Sequence, residues 1–234
     1  MTALFSAPPG ARVVPLPDGL LYHLPQFLAP DAASVLLGQL TTSLDWQQHR
    51  LKLFGRECLT PRLCAWYGDA DARYGYSGQT LEPLPWTAPL VALRQRLEAE
   101  LDCPFNGMLA NLYRDGADSM GWHSDDEASL GPRPVIASLS LGATRRFVLR
   151  HRRRRDLQTV ALTLEHGSLL IMAGDTQRHW QHAVPKTRAA VGVRINLTFR
   201  YVGRLRAAAG APVGGASSTR EPARPGRPTL SNDR

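Results

Sequence analysis

Residues 111–127 read NLYRDGADSMGWHSDDE, and near the end of this stretch stand His123, Ser124 and Asp125. A His and an Asp separated by one residue can lie on the same side of an extended segment, because side chains along a strand alternate between its faces. One metal ion could then bind both. With a second His from elsewhere they would form a triad of two His and one carboxylate, which suits non-haem Fe(II). A solvated polar loop is the alternative, because His-x-Asp alone is a weak motif.

The composition indicates a globular protein with a polyanionic partner. The 234 residues are enough for one domain with a sizeable core, and 43% of them are hydrophobic. Lys and Arg together number 28 against 20 Asp and Glu, so the net charge of +8 favours nucleic acid or an anionic membrane surface. No apolar run approaches the roughly 20 residues of a membrane-spanning helix, so we expect no membrane partner.

The cysteines and the first residues indicate a compartment. Cys58, Cys64 and Cys103 form neither a Cys-x-x-Cys pair nor an even framework, which is typical of a reducing environment. Residues 1–10 lack the basic stretch and apolar run of a signal peptide. We therefore expect a cytoplasmic protein, associated with the nucleoid if it is bacterial.

The hydrophobic pattern predicts two helices followed by many short strands. Apolar residues at helical spacing predict a helix over residues 31–44, with Asp31 as its N-cap, and a second helix over residues 87–101. Beyond Phe105 the period changes to that of strands separated by Gly turns. This order argues for a β-sandwich or jelly roll with helices packed outside. The predicted strands include 134–141, 146–150, 159–164, 168–172 and 192–202.

The clearest strand covers residues 192–202. Its apolar face carries Val193, Ile195, Leu197 and Phe199, and its polar face carries Arg194, Asn196, Thr198 and Arg200. The polar face could lie in water, as in an ordinary antiparallel sheet. It could also line a cavity in which two Arg bind the two carboxylates of an acidic ligand.

Three further segments each allow two interpretations. Residues 51–68 predict a hairpin whose tip carries Leu53 and Phe54, either as core residues or as an exposed wedge. Tyr74 and Tyr76 are either half-buried loop aromatics or a stacking surface for a base. The basic run 151–155 is either a solvated turn or a phosphate-contacting loop.

The third metal ligand would come from His179 or His182. Positions three apart on a strand face opposite ways, so at most one of them joins the site if this segment is extended. The spacing does not say which.

From about Leu51 to Tyr201 the chain resembles the AlkB family of Fe(II)/2-oxoglutarate dioxygenases, and especially its DNA-repair branch. The resemblance implies an α+β fold with a double-stranded β-helix (jelly-roll) core, flanking helices and an N-terminal nucleotide-recognition hairpin region. Residues 1–30, punctuated by Pro and Gly, are predicted to be an N-terminal lead-in with one strand at most, and residues 31–202 an AlkB-like dioxygenase domain. Residues 203–234, poor in large apolar residues, are predicted to be a disordered basic tail. The matching segments, in chain order, are NLY at 111–113, HSDDE at 123–127, GSLLIM at 167–172, WQH at 180–182 and RINLTFR at 194–200.

The resemblance also implies roles for individual residues. The iron ligands, which form the catalytic centre, would be His123, Asp125 and His182. Arg200 would bind the C1 carboxylate of 2-oxoglutarate and Arg194 its C5 carboxylate. The remaining residues of the cosubstrate set would be Asn111, Tyr113 and Asn196.

A flipped base would stack between His123 and Tyr76, where close relatives have Phe. The pocket edge that reads its exocyclic amino group would comprise Tyr74, Asp126 and Glu127. Leu53 and Phe54 would fill the gap that the base leaves in duplex DNA.

The implied activity is oxidative demethylation of 1-methyladenine and 3-methylcytosine in DNA. It would use Fe(II), 2-oxoglutarate and O₂ and release formaldehyde and succinate. An RNA-preferring demethylase is one alternative. A nucleic-acid-binding module without catalysis is another, and the intact ligand and clamp residues argue against it. We expect a monomer whose partner is DNA or RNA.

Overall fold

A computed structural model describes residues 5–53, 56–76 and 79–203. Its helices are α1 (Pro30–Ser43), α2 (Ala88–Leu101) and α3 (Thr176–His179), with a 3-10 turn at Ala128–Leu130. Its strands are β1 (Arg12–Val14), β2 (Leu20–Leu24), β3 (Arg50–Leu53), β4 (Arg56–Leu59), β5 (Leu63–Gly68), β6 (Tyr74–Tyr76), β7 (Gln79–Leu81), β8 (Gly107–Tyr113), β9 (Met120–His123), β10 (Ile136–Gly142), β11 (Arg145–His151), β12 (Val160–Leu164), β13 (Leu169–Ala173), β14 (Trp180–Val184) and β15 (Arg194–Arg200).

Two sheets form the jelly-roll core. The large sheet has seven strands in the order β1-β2-β13-β10-β15-β8-β5, and the small sheet has four in the order β12-β11-β14-β9. Neighbouring strands within each sheet run antiparallel. The predicted α+β class with a jelly-roll core is therefore confirmed.

Each face of the large sheet packs apolar side chains against a neighbouring layer. On the outer face, the leucines of α1 and α2, such as Leu40 and Leu97, pack against Leu197 and Phe199 of β15. On the inner face, residues of the large sheet such as Met172 pack against the small sheet through a second buried cluster. The two layers leave one end of the inter-sheet space for polar residues, and the candidate site lies there.

The first helix begins one residue earlier than its sequence pattern predicts. Pro30 is its first residue and Ala29 its N-cap, which makes no side-chain capping hydrogen bond. Proline suits this position because its missing N–H would have no intrahelical partner there. The prediction of Asp31 as N-cap is wrong, and its carboxylate lies instead in the first turn, near the positive end of the helix dipole.

The segment before residue 31 contributes to the large sheet. β1 pairs with β2, and β2 pairs with β13 in the register Leu21↔Met172. Residues 12–24 thus add two strands, one more than predicted, to the sheet that also carries Arg194 and Arg200. The tail from residue 204 onward lies outside the described residues.

Two short hairpins stand apart from the main sheets. β3 pairs with β4 up to Leu53↔Arg56, and β6 pairs with β7 up to Tyr76↔Gln79. Phe54 lies outside the described residues, so the wedge and core interpretations of this hairpin both remain open. Within the described part of the chain, no helix has the length and hydropathy needed to cross a membrane.

Candidate metal and cosubstrate site

A group of three possible metal ligands lies between the two sheets. The ligand atoms of His123, Asp125 and His182 are all within 4.8 Å of one another. Strand pairing brings the two imidazoles together, since His123 on β9 lies directly opposite His182 on β14. Their ring centroids are 4.1 Å apart. This geometry could hold one metal ion.

Asp125 reaches the group through a loop and not along a strand. β9 ends at His123, so the alternation of an extended segment does not orient Asp125. Its backbone N–H donates to Oε1 of buried Gln177 at 2.9 Å, and the hydroxyl of Ser124 donates to the carbonyl of Trp180. The turn around α3 therefore holds the carboxylate, which lies 3.9 Å from Nε2 of His123.

The pKa values of His182 and Asp125 suit metal binding, and a hydrogen bond orients His123. Burial, aided by His123, lowers the pKa of His182 to about 3, so its imidazole is neutral near pH 7. Burial would raise the pKa of the Asp125 carboxyl, but Arg200 and the two imidazoles outweigh this and hold its pKa below the usual range. Nδ1 of His123 lies 2.9 Å from the carbonyl of Gly121, which can only accept, so the proton is on Nδ1 and Nε2 is free to bind a metal.

His179 lies elsewhere. It is the last residue of α3, and its ring stacks on His151 with centroids 5.7 Å apart. The choice between His179 and His182, which spacing left open, is thus resolved geometrically: His182 is the imidazole beside Asp125.

The polar face of β15 is buried and not in water. Arg194 and Arg200 are 1% and 2% exposed. One guanidinium N–H of Arg194 donates to Ser140, while its Nε and Nη1 have no hydrogen-bond partner within the described residues. Burial lowers the pKa of Arg194, an unfavourable term that an anionic ligand would offset.

Arg200 lies at the other end of the same strand face, beside the metal group. Its Nη2 is 3.7 Å from Oδ2 of Asp125. An acidic ligand with one carboxylate near the metal group and another near Arg194 would therefore meet a cation at each end. Arg200 lines a cavity beside the metal group, whereas Arg194 does not, so the binding of an acidic ligand by both Arg stays a prediction.

The other predicted cosubstrate residues lie on adjoining strands. Asn111 and Tyr113 of β8 pair with Asn196 and Arg194 of β15, so all four share one patch of the large sheet. Asn111 accepts a 2.7 Å hydrogen bond from Arg62, and Asn196 donates to Ser138 and to the carbonyl of Leu139. The ring of Tyr113 lies 5.1 Å from the Arg194 guanidinium carbon.

A cavity of about 490 Å³ opens onto this patch and onto the metal group. Of the predicted base-reading residues, Glu127 lines this cavity. Asp126 does not: it lies on the wall of a second surface cavity, and its carboxylate forms a 2.6 Å ion pair with Arg152. Tyr74 and Tyr76 lie on the β6–β7 hairpin, and Leu53 on β3.

Two buried residues near the site were missed by the sequence analysis. Arg62 binds Asn111, and Gln177 binds the backbone of Asp125. The contacts link residues 49 and 52 positions apart, so no local spacing could have revealed them. Ser138 and Ser140, by contrast, alternate along β10, and this polar alternation in an apolar strand was a usable signal.

Residues 20–200 match the 2OG-Fe(II) oxygenase superfamily. The chain is 45% identical over 189 residues to "Alpha-ketoglutarate-dependent dioxygenase alkB homolog 3" of Mus musculus, covering 76% of this chain and 64% of that protein. It is 35% identical over 222 residues to "DNA oxidative demethylase ALKBH2" of Arabidopsis thaliana, covering 83% of this chain and 70% of that protein. The chain belongs to the AlkB family of Fe(II)/2-oxoglutarate dioxygenases.

Another AlkB relative is "DNA oxidative demethylase ALKBH2" of Mus musculus, 43% identical over 159 residues, which are 65% of this chain and 66% of that protein. The chain spans less than two thirds of the length of the two mouse relatives, 64% of one and 66% of the other. Membership of the AlkB family implies Fe(II), 2-oxoglutarate and O₂ as cofactors.

The residues present fit these groups. Two imidazoles and one carboxylate are the donor set that suits Fe(II) with open coordination positions. The buried N–H groups of Arg194 that lack a partner within the described residues are suited to a carboxylate, which can accept two hydrogen bonds from one guanidinium. A cosubstrate with two carboxylates, as AlkB enzymes use, could therefore accept hydrogen bonds from these N–H groups of Arg194.

Proposed function

We propose that this chain is an oxidative demethylase of N-alkylated bases, acting on 1-methyladenine and 3-methylcytosine in DNA as a monomer. One observation carries the proposal: a His-Asp-His group able to hold one metal ion opens onto a cavity of about 490 Å³. Cavities of this size typically bind small molecules. The printed names of the relatives, which include DNA oxidative demethylases, support the choice of substrate.

In this proposal His123, Asp125 and His182 bind Fe(II), and Arg194 and Arg200 bind the two carboxylates of 2-oxoglutarate. Bound Fe(II), 2-oxoglutarate and O₂ would supply the oxidation, giving succinate, CO₂ and an N-hydroxymethyl group that would be released as formaldehyde. The remaining contributions are those of the chain. Neutral His182 needs to release no proton before it binds the metal.

Asn111, Tyr113 and Asn196 would orient the cosubstrate. Asn111 is held by Arg62 and Asn196 by Ser138, so their amide groups are set before a ligand arrives. Such preorganisation reduces the entropy lost on binding. Glu127, which lines the cavity, would face the base. A base must leave the helix to reach a site between two sheets, and an alkylated base that cannot pair leaves at the lowest cost.

The test is formaldehyde and succinate release from one lesion in three contexts: single-stranded DNA, duplex DNA and RNA. The protein is loaded with Fe(II) and supplied with 2-oxoglutarate and O₂, and an iron-free sample is the control. We expect iron-dependent formaldehyde from DNA, equimolar with the demethylated base. Turnover confined to RNA would favour the RNA-preferring demethylase. No formaldehyde above the control in any context would reject the proposal.

A further inference from the structure

Trp122 is a large apolar side chain left partly exposed beside the site. It precedes His123 in β9, and its side chain is 39% exposed. Neighbouring residues of a strand point to opposite sides, yet Trp122 and His123 both line the cavity beside the metal group.

The guanidinium of Arg150, on β11, holds the indole in place from across β14. The guanidinium carbon of Arg150, on β11, lies 4.4 Å from the centroid of the Trp122 ring. Two N–H groups of the same guanidinium donate to Oε1 of Gln181, on the intervening strand β14, at 3.1 and 2.9 Å. Gln181 therefore fixes the plane of the guanidinium over the ring. A guanidinium has five N–H donors, so Arg150 keeps donors for a further acceptor.

The surroundings of this pair are positively charged. Arg150 is exposed on β11, and the run Arg152–Arg155 follows the end of that strand. Of that run, Arg152 and Arg154 are paired with acidic residues, and Arg153 and Arg155 have exposed side chains. An aromatic surface within a basic region is typical of sites that bind single-stranded nucleic acid, where bases stack on rings and cations follow the backbone.

We propose that Trp122 and Arg150 bind the nucleotide next to the target base. The indole stacks on that flanking base, and the guanidinium binds the phosphate that joins the two nucleotides. Trp122 and His123 line the same cavity, so a base held at His123 leaves its neighbour within reach of Trp122. The inference rests on the proposed function, because it assumes a strand with one base in the cleft.

The binding test compares Trp122→Ala and Trp122→Phe with the parent protein. The probe is a fluorescein-labelled single strand of ten nucleotides with one 3-methylcytosine. Its anisotropy is measured anaerobically with Fe(II) and 2-oxoglutarate bound, so that binding is measured without turnover. We expect Trp122→Ala to weaken binding roughly ten-fold and Trp122→Phe to restore most of it, because stacking needs only an aromatic face.

Two variants control for lost surface and lost charge. Tyr201→Ala removes an aromatic that is 52% exposed. Arg146→Ala removes an exposed cation four residues before Arg150, on the same face of β11. Both should bind the strand within about two-fold of the parent. Equal losses for Trp122→Ala and Tyr201→Ala would overturn the proposal.

A second comparison removes the flanking base from the probe. Strands with an abasic nucleotide on the 5′ or the 3′ side of the lesion are bound to the parent and to Trp122→Ala. If the indole stacks on one flanking base, its removal weakens the parent but leaves the variant nearly unchanged. Equal weakening of both proteins on both strands would overturn the stacking contact. A purely structural role for Trp122 would instead lower the melting temperature and weaken binding of every probe alike.

The two proposals fail in different ways. If the parent protein releases no formaldehyde from the intact probe, the demethylase function fails, and the abasic comparison still decides the docking site. If the parent releases formaldehyde but Trp122→Ala binds all probes as the parent does, only the docking site is rejected.

Discussion

His182 is in the form that binds a metal before any ion arrives. Its pKa of about 3 follows from burial and from the neighbouring His123, so the neutral imidazole prevails at every pH at which an enzyme is usually assayed. Asp125 is anionic because Arg200 lies beside it. Burial thus keeps His182 neutral, and the charge of Arg200 keeps Asp125 ionised.

Asp125→Ala removes the anionic member of the triad and tests its role directly. We expect iron content to fall to background and succinate production to fall at least about 100-fold, because two imidazoles alone bind Fe(II) weakly. His179→Ala is the matched control, since its imidazole stacks on His151 away from the group. Loss of iron in His179→Ala with retention in Asp125→Ala would show that the site has been misassigned.

Arg194→Ala tests the cosubstrate clamp. Truncating one partner of a buried charge pair costs about 2–5 kcal/mol, so the affinity for 2-oxoglutarate should fall at least about thirty-fold. Calorimetric titration of the metal-loaded protein measures it. Thr198→Ala, on the same face of β15, should change the affinity much less. Unchanged binding in Arg194→Ala would place the carboxylate elsewhere.

At the scale of elements, the four-residue helix α3 acts as a support for the metal group. Its Gln177 is 2% exposed and accepts the N–H of Asp125. α3 packs against β13 and β14, so the position of Asp125 depends on how that turn sits between the two sheets. α3 contributes no metal ligand, but through Gln177 it sets the position of the ligand Asp125.

Gln177→Met keeps the size of this side chain but removes the acceptor. The buried N–H of Asp125 then lacks a partner, which costs about 1–3 kcal/mol of stability. Groups that orient metal ligands typically affect metal affinity by about 10- to 100-fold, and we expect a loss of iron affinity in that range. Gln39→Met, the same change at an exposed position of α1, should alter neither. Parent-like iron affinity in Gln177→Met would leave Gln177 a purely structural role.

The predicted role of the β3–β4 hairpin depends on Leu53 and Phe54 at its tip. If Leu53 and Phe54 enter the gap left by a flipped base, replacing both with Ala should lower activity on duplex DNA much more than on a single strand. As core residues they would instead each contribute about 2–5 kcal/mol of stability, and both activities would fall with the melting temperature. The duplex-to-single-strand activity ratio, measured beside the melting temperature, separates the two. An unchanged ratio removes the wedge.

At the scale of the molecule, the described domain closes at its C-terminal end on a pair of side-chain hydrogen bonds. Asn106 donates to the carbonyl of Val202 and accepts its N–H, at 2.8 and 2.6 Å. Gly203 then donates to the carbonyl of Ser129. Residues 204–234 follow this closure and carry six Arg against one Glu and one Asp, half of the net charge of +8.

Truncation after Gly203 should therefore remove positive charge while leaving the stability of the domain nearly unchanged. Because the composition of the tail predicts little buried apolar surface, we expect the melting temperature to change by no more than about 1–2 °C. Affinity for single-stranded DNA should fall modestly, with a shallower dependence on salt, because fewer cations remain. A large fall in melting temperature would show that the tail docks on the domain.

Local patterns in the sequence were enough to predict elements such as β15 and α2. The alternation from Val193 to Arg200 predicted β15, and the leucines of α2 predicted its buried face, because side-chain periodicity is a property of a few consecutive residues. His123 and Asp125 could be singled out for the same reason: they stand two positions apart. The N-cap of α1 was mispredicted, because several neighbouring residues are compatible with the start of a helix.

Chain-local information by itself indicated a β-sandwich or jelly roll, the two helices and the residue types that a metal and dicarboxylate site would need. Only the tertiary structure decided that the polar face of β15 is buried, that His182 and not His179 lies opposite His123, and that Gln177 and Arg62 support the site. Each of these depends on which strands pair and in which register. Pairing joins residues tens of positions apart through the burial of whole faces, and no single segment of the chain carries that information.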